Sequence, residues 1–169
     1  MNFQVGDKVV YPNHGVAVIE NISTRMFGAR QERFYLLRLV SNRLTVLVPF
    51  SHAGDVGLRR VTRNGHLEQV LKFLAAGECP GCRDWKDRFK ENSEKMQHGS
   101  LLEVAEVLKC LVVQQMQKPL SFREKRMLER ARHMLVTEVS ISRGLKEAEA
   151  EQMLSRSLAK SSLPWPEPL

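Results

Sequence analysis

The chain has 169 residues, 43% of them hydrophobic and 27% charged, with 26 Lys and Arg against 19 Asp and Glu for a formal net charge of +7. This is a globular composition, enough for one ordinary domain or two small modules, and no stretch approaches the roughly 20 apolar residues needed to cross a bilayer. The moderate positive charge permits nucleic-acid binding without requiring it, and three cysteines are too few and odd in number for a disulfide scaffold, so a reduced, cytoplasmic setting is expected.

The first residues, Met1 to Asp7, have no basic segment leading into an apolar run, so neither a signal peptide nor a lipidation site is expected. Residues 1–62 then read as short strands. Val9-Val10-Tyr11, Val16-Ala17-Val18-Ile19, Phe34 to Leu39 and Leu44 to Val48 are β-branched or aromatic runs, punctuated by Gly6-Asp7, Pro12-Asn13-His14-Gly15, Phe27-Gly28 and Ser41-Asn42. Strands this short and few predict a small, strongly bent barrel, which covers the edges that an open sheet leaves exposed.

From His66 the apolar period changes from two to between three and four. Leu67, Val70, Leu71 and Leu74 mark one face of a helix, and a connection containing Cys79-Pro80-Gly81-Cys82 follows it. A second helix is expected over about Asp84 to Gln97. A third is outlined by Leu101, Leu102, Val104, Ala105, Leu108, Val112 and Met116. Ser121 with Glu124 forms a capping box opening a fourth, whose buried face carries Leu128, Ala131, Leu135 and Val139. A last amphipathic helix spans Lys146 to Lys160, and the proline-rich residues 161–169 read as a frayed, disordered tail. The expected class is therefore α+β, with a β module over 1–62, a helix and connection over 63–83, and a helical domain over 84–160.

Enzyme chemistry finds no support. His14, His52, His66, His98 and His133 belong to no metalloprotease, phosphate-loop or nucleophile-elbow motif, and read as turn or surface residues. Cys79 and Cys82 supply half of a zinc site, but Cys110 and His98, the nearby candidates for the other half, fall in helices of different phase, so no metal is expected. Trp85 is more informative. With Phe89 it could fill a core; exposed beside Lys86, Arg88 and Lys90 it could instead wedge into a disturbed base step while the cations hold phosphates. On the fourth helix Arg126, Arg130 and His133 share one face, a second basic surface suited to phosphate contact.

Three stretches carry a family resemblance. Val5-Gly6-Asp7-Lys8-Val9-Val10-Tyr11-Pro12-Asn13-His14-Gly15-Val16, then Trp85-x-x-Arg88-Phe89-Lys90-x-Asn92, and Leu120-Ser121-x-x-Glu124-Lys125-x-Met127-Leu128-x-x-Ala131 resemble the bacterial CarD/CdnL family of RNA-polymerase-binding transcription regulators, in order, over residues 1 to about 160. The first stretch is also similar to the polymerase-interacting module of transcription-repair coupling factors, which carry a helicase region that is not found in this sequence.

The resemblance implies a Tudor-like N-terminal module that docks on the RNA polymerase β subunit through an exposed strand edge. Arg25, Arg43 and the strand residues Val46, Leu47 and Val48 would make that contact. It further implies a helical domain lying on promoter DNA near the −10 element, where Trp85 matches a tryptophan that wedges into the minor groove at the upstream edge of the bubble, and Lys90 a residue that approaches DNA. A monomer is implied, without cofactor and associated with the nucleoid through the polymerase. Two positions depart from relatives: Leu47 stands where arginine is frequent, and Asp87 where some have a basic residue. The alternative is a protein–protein adaptor that never touches DNA, with Trp85 buried.

Overall fold

The computed structural model describes residues 3–12, 14–76, 85–98 and 100–167; the side chains of Phe27, Trp85, Lys86, Asp87 and His98 lie outside that description, as does the Cys79–Cys82 connection. The described chain divides into two units, Met1–Val61 and Thr62–Leu169.

The first unit is one antiparallel sheet of β1 (Lys8–Tyr11), β2 (Gly15–Phe27), β3 (Arg30–Leu39), β4 (Thr45–Pro49) and β5 (Arg59–Arg60), in the order β4-β3-β2-β1-β5. Alternation puts Val9, Ala17, Ile19, Tyr35, Leu37, Leu39 and Val48 in its core with Phe3 and Leu58. Tyr35 is wholly buried; its hydroxyl accepts from the Phe3 amide at 3.2 Å, and its ring stacks on Phe50 at 4.0 Å between centroids. The polar handle of a buried tyrosine thus satisfies a backbone donor that would otherwise be stranded.

Two strand features exceed the sequence reading. β2 and β3 extend past their apolar runs into a long arm, paired as far as Phe27 and Arg30 around Gly28, which takes a positive φ of 61°. Pairing steps from Ile19↔Leu37 to Asn21↔Leu36, so Glu20 is an inserted bulge residue that re-aims the arm. The arm escaped the sequence reading because Thr24, Arg25, Met26, Arg30, Gln31 and Arg33 are all exposed and so carry no period-two apolar signal. The short β5 is too brief to show a pattern at all.

The second unit comprises α1 (Asn64–Ala75), α2 (Trp85–His98), α3 (Leu101–Gln117), α4 (Phe122–Arg143) and α5 (Glu147–Ala159). Their apolar faces meet in one core that includes Leu67, Val70, Leu74, Val104, Leu108, Leu135, Val139, Ala150, Leu154 and Leu158. Helix α4 begins at the expected capping box: the Ser121 hydroxyl accepts from the Glu124 amide at 3.3 Å, and the Glu124 carboxylate from the Ser121 amide at 3.1 Å. It ends at Gly144 in the left-handed region, φ 65°.

Met116, in the last turn of α3 and beyond the end of its apolar face, is 61% exposed. One expectation for this unit needs correction. Residues 161–167 pack on the helices instead of fraying: Leu163 and Trp165 lie against the core, and the Trp165 indole donates to Glu151 at 2.9 Å. The Ser161 hydroxyl donates to the Ala76 and Leu74 carbonyls at the end of α1. Prolines exclude a helix there but leave an extended strap free to bury its apolar side chains.

Candidate functional site

In the β unit, β4 is an outer strand of the sheet, with a partner on one side only among the described residues. Its pairing to β3 sets Val48 opposite Tyr35 and Val46 opposite Leu37, on the core side, where Val48 is buried and Val46 half-buried. Leu47 falls on the opposite face and is 37% exposed; Leu44, just before the strand, is 60% exposed. An uncovered edge beside exposed leucines is the feature that proteins ordinarily blunt with charge or bulges unless it is used.

The turn leading into this edge is also unusual. Arg43 has a φ of 58°, a conformation rare for a side chain with a Cβ and costing roughly 1–2 kcal/mol. The turn is held by the Leu39 amide donating to the Leu44 carbonyl at 2.8 Å, the Arg43 amide to Leu39 at 3.0 Å, and the Leu44 amide to the Asn42 side chain at 3.1 Å. Arg43 is thereby presented at the mouth of β4. Arg25 lies elsewhere on the sheet, exposed on the arm and paired in register with Glu32.

In the helical unit the basic residues divide by their surroundings. Lys90, Arg123, Lys125, Arg126 and Arg130 are exposed, and Arg88 is half-buried with its Nε enclosed and no hydrogen-bond partner among the described residues. Trp85 is the first residue of α2, but its ring and the Lys86 side chain lie outside the described residues. Arg123 reaches across from α4 to lie 4.3 Å from the centre of the Phe89 ring, which ties α2 to the start of α4. Sequence spacing allowed Phe89 a core position together with Trp85; the structure makes it half-buried, and the spacing gave no signal for the residue that covers it.

The carboxylates near this surface are largely consumed internally. Burial, the largest influence on Glu124, pushes its carboxyl up. Hydrogen bonds from Ser121 and Gln114, with the nearby charge of Arg88, together outweigh that and hold it below its ordinary value. Arg132 pairs with Glu129 at 2.6 Å and Glu151 at 3.2 Å, so it is a structural cation rather than a surface one. Lys95 is likewise committed, at 2.8 Å from Glu106. Among the described residues around the start of α4, the exposed charged side chains are the cations Lys118, Arg123, Lys125, Arg126 and Arg130, while Glu91 and Glu94 are exposed on α2.

No group of three His, Cys, Asp or Glu side chains among the described residues could hold a metal ion, and no helix among them is long and apolar enough to cross a membrane. Cys110 is half-buried on α3.

Comparison with known proteins assigns each unit. A family model described as CarD-like/TRCF RID domain matches residues 3–62, and one described as CarD, C-terminal domain, matches residues 69–155. The pair defines a two-module transcription regulator rather than an enzyme class. The chain belongs to the CarD/CdnL family. It is 33% identical over 145 residues, 86% of this chain and 95% of the relative, to the putative transcription factor YdeB of Bacillus subtilis (strain 168).

Proposed function

We propose that the protein binds the RNA polymerase β subunit through the β4 edge and stabilises the open promoter complex by placing its helical unit on DNA at the upstream edge of the bubble. The observation that carries the first half is the uncovered β4 edge, flanked by exposed Leu44 and Leu47 and by Arg43 in its left-handed turn. An extended segment of a partner can add a strand to such an edge, with main-chain hydrogen bonds supplying affinity and the leucines specificity. The match of this unit to the CarD-like/TRCF RID domain supports a polymerase as that partner. Leucine at position 47 makes this contact more apolar than an arginine would, and Arg43 and Arg25 supply the charge.

Tethering gives the helical unit a high local concentration at the promoter, so weak intrinsic DNA affinity suffices. Lys90, Arg126 and Arg130 then hold phosphates, while Arg88, half-buried near Glu124, mainly orders the surface from beneath. Trp85, with Lys86 beside it, enters a minor-groove step available only once strands part. That difference between states is what shifts a closed-to-open equilibrium; a preference of about 1.4 kcal/mol raises the open-to-closed ratio about tenfold.

The test is the lifetime of open complexes formed by the cognate polymerase with wild-type protein, W85A or neither. Wild type should prolong the lifetime and W85A should not, while both remain polymerase-bound. Equal lifetimes with and without bound wild-type protein would leave an adaptor that does not touch DNA.

A further inference from the structure

Phe122 opens α4 and is 70% exposed, the most exposed large apolar side chain among the described residues. Among the described residues it is not one of the side chains packed in or against the helical core. It is not isolated, however: the Arg126 guanidinium lies 5.6 Å from its centre, one turn along the helix. Arg130 follows at the next turn of the same face, also exposed, so ring and two cations form a stripe about 12 Å long at 1.5 Å rise per residue.

The stripe lies in a cationic field. Between Lys118 and Arg130, Lys118, Arg123, Lys125, Arg126 and Arg130 are all exposed, and the two carboxylates, Glu124 and Glu129, are turned to Ser121 and Gln114 and to Arg132 respectively. An exposed ring inside such a field matches a polyanion that also offers apolar faces. DNA does so through its phosphates and its sugars and bases; an acidic protein surface offers the charge without a regular row of flat faces. The first amides of α4 are partly consumed by the capping box, so side chains rather than the helix terminus would make the phosphate contacts.

We propose that Phe122 is a second DNA-contacting ring, separate from Trp85, which seats against sugar and base edges while Arg126 and Arg130 hold the flanking phosphates. This rests on the reading of the helical unit as DNA-binding. The Arg126 contact pre-orients both groups before DNA arrives, which lowers the ordering cost on binding.

The experiment measures full-chain binding to a fluorescently labelled promoter fork at several salt concentrations, together with retention on the cognate polymerase. F122A should weaken DNA binding about threefold to tenfold while leaving the slope of log K against log salt unchanged, because no phosphate contact is lost. R126Q should weaken binding and reduce that slope by about one. If F122A binds as wild type while R126Q is weakened, the ring has no DNA role and the inference fails alone. Failure of R126Q and R130Q to alter DNA binding overturns the DNA reading as well. Loss of polymerase retention by F122A, with DNA affinity intact, would make the ring a protein contact and overturn the proposal. Equal thermal unfolding of F122A and wild type is expected from the exposure of the ring.

Discussion

Lys109 meets Phe73 in two ways: its ammonium donates to the Phe73 carbonyl at 2.8 Å and lies 4.7 Å from the centre of the Phe73 ring. It also donates to the Ala76 carbonyl, the residue that caps α1. The side chain is only 1% exposed, so a charge on α3 is spent inside the unit to satisfy the carbonyls at the end of α1.

Lys109→Met keeps most of the apolar stem but leaves those carbonyls without their charged donor. The expected loss is about 1–3 kcal/mol of stability, seen as a lower urea midpoint with an unchanged slope. An unchanged midpoint would show that the carbonyls find other donors.

The capping box gives a stability effect with a defined pH range. Ser121→Ala should cost about 1 kcal/mol. Because the Glu124 carboxyl is held below its ordinary value, its ionised form stabilises the fold. That contribution is present above the pH at which an unfolded glutamate titrates, and it is lost as pH falls through the lower, folded value. Thermal melts of wild type and E124Q should therefore differ at neutral pH and converge in acid; a constant difference would remove the charge from the account.

At the β4 edge, stability and binding should separate. Arg43→Gly relieves a left-handed side-chain conformation and should stabilise the β unit by up to about 1 kcal/mol, while removing a cation from the proposed polymerase contact. The double variant L44D/L47D should melt near wild type, since both side chains face solvent, and lose polymerase retention in a pull-down. Retention by the double variant would move the contact off this edge.

Trp165→Ala should destabilise the helical unit by about 1–2 kcal/mol, less than a fully buried aromatic because the ring is half-covered. The loss of its hydrogen bond should leave Glu151 paired with Arg132 alone. A melt identical to wild type would show that the strap lies on the helices without holding them.

Which of these features the sequence disclosed follows from how far each signal is local. Ser121, Glu124 and the Leu128-Ala131-Leu135-Val139 stripe declare α4 within a few turns, and its start and cap lie where they were expected. The arm around Gly28 was hidden because its residues have no buried face, although strand pairing alone sustains it. Trp165 was hidden by its prolines, which predict the absence of a helix but say nothing about burial. Lys109 carries no local signal of its burial, since its partners are backbone carbonyls more than thirty residues away. At the candidate site, the shared exposed face of Arg126 and Arg130 followed from their spacing, whereas the inward turn of Arg88 and the cover that Arg123 gives Phe89 depend on tertiary packing that no short pattern encodes.

The bond from Ser161 back to Leu74 spans 87 residues. On the ribosome this separates the two halves of the molecule in time. The sheet finds all its strand partners within its first 61 residues and can fold as soon as they emerge. The carbonyls that end α1 wait for Lys109 and then for Ser161, so the helical bundle closes only after nearly the whole unit has been synthesised. A nascent chain arrested before Ser161 should therefore display a finished β unit next to helices still open to proteases and chaperones.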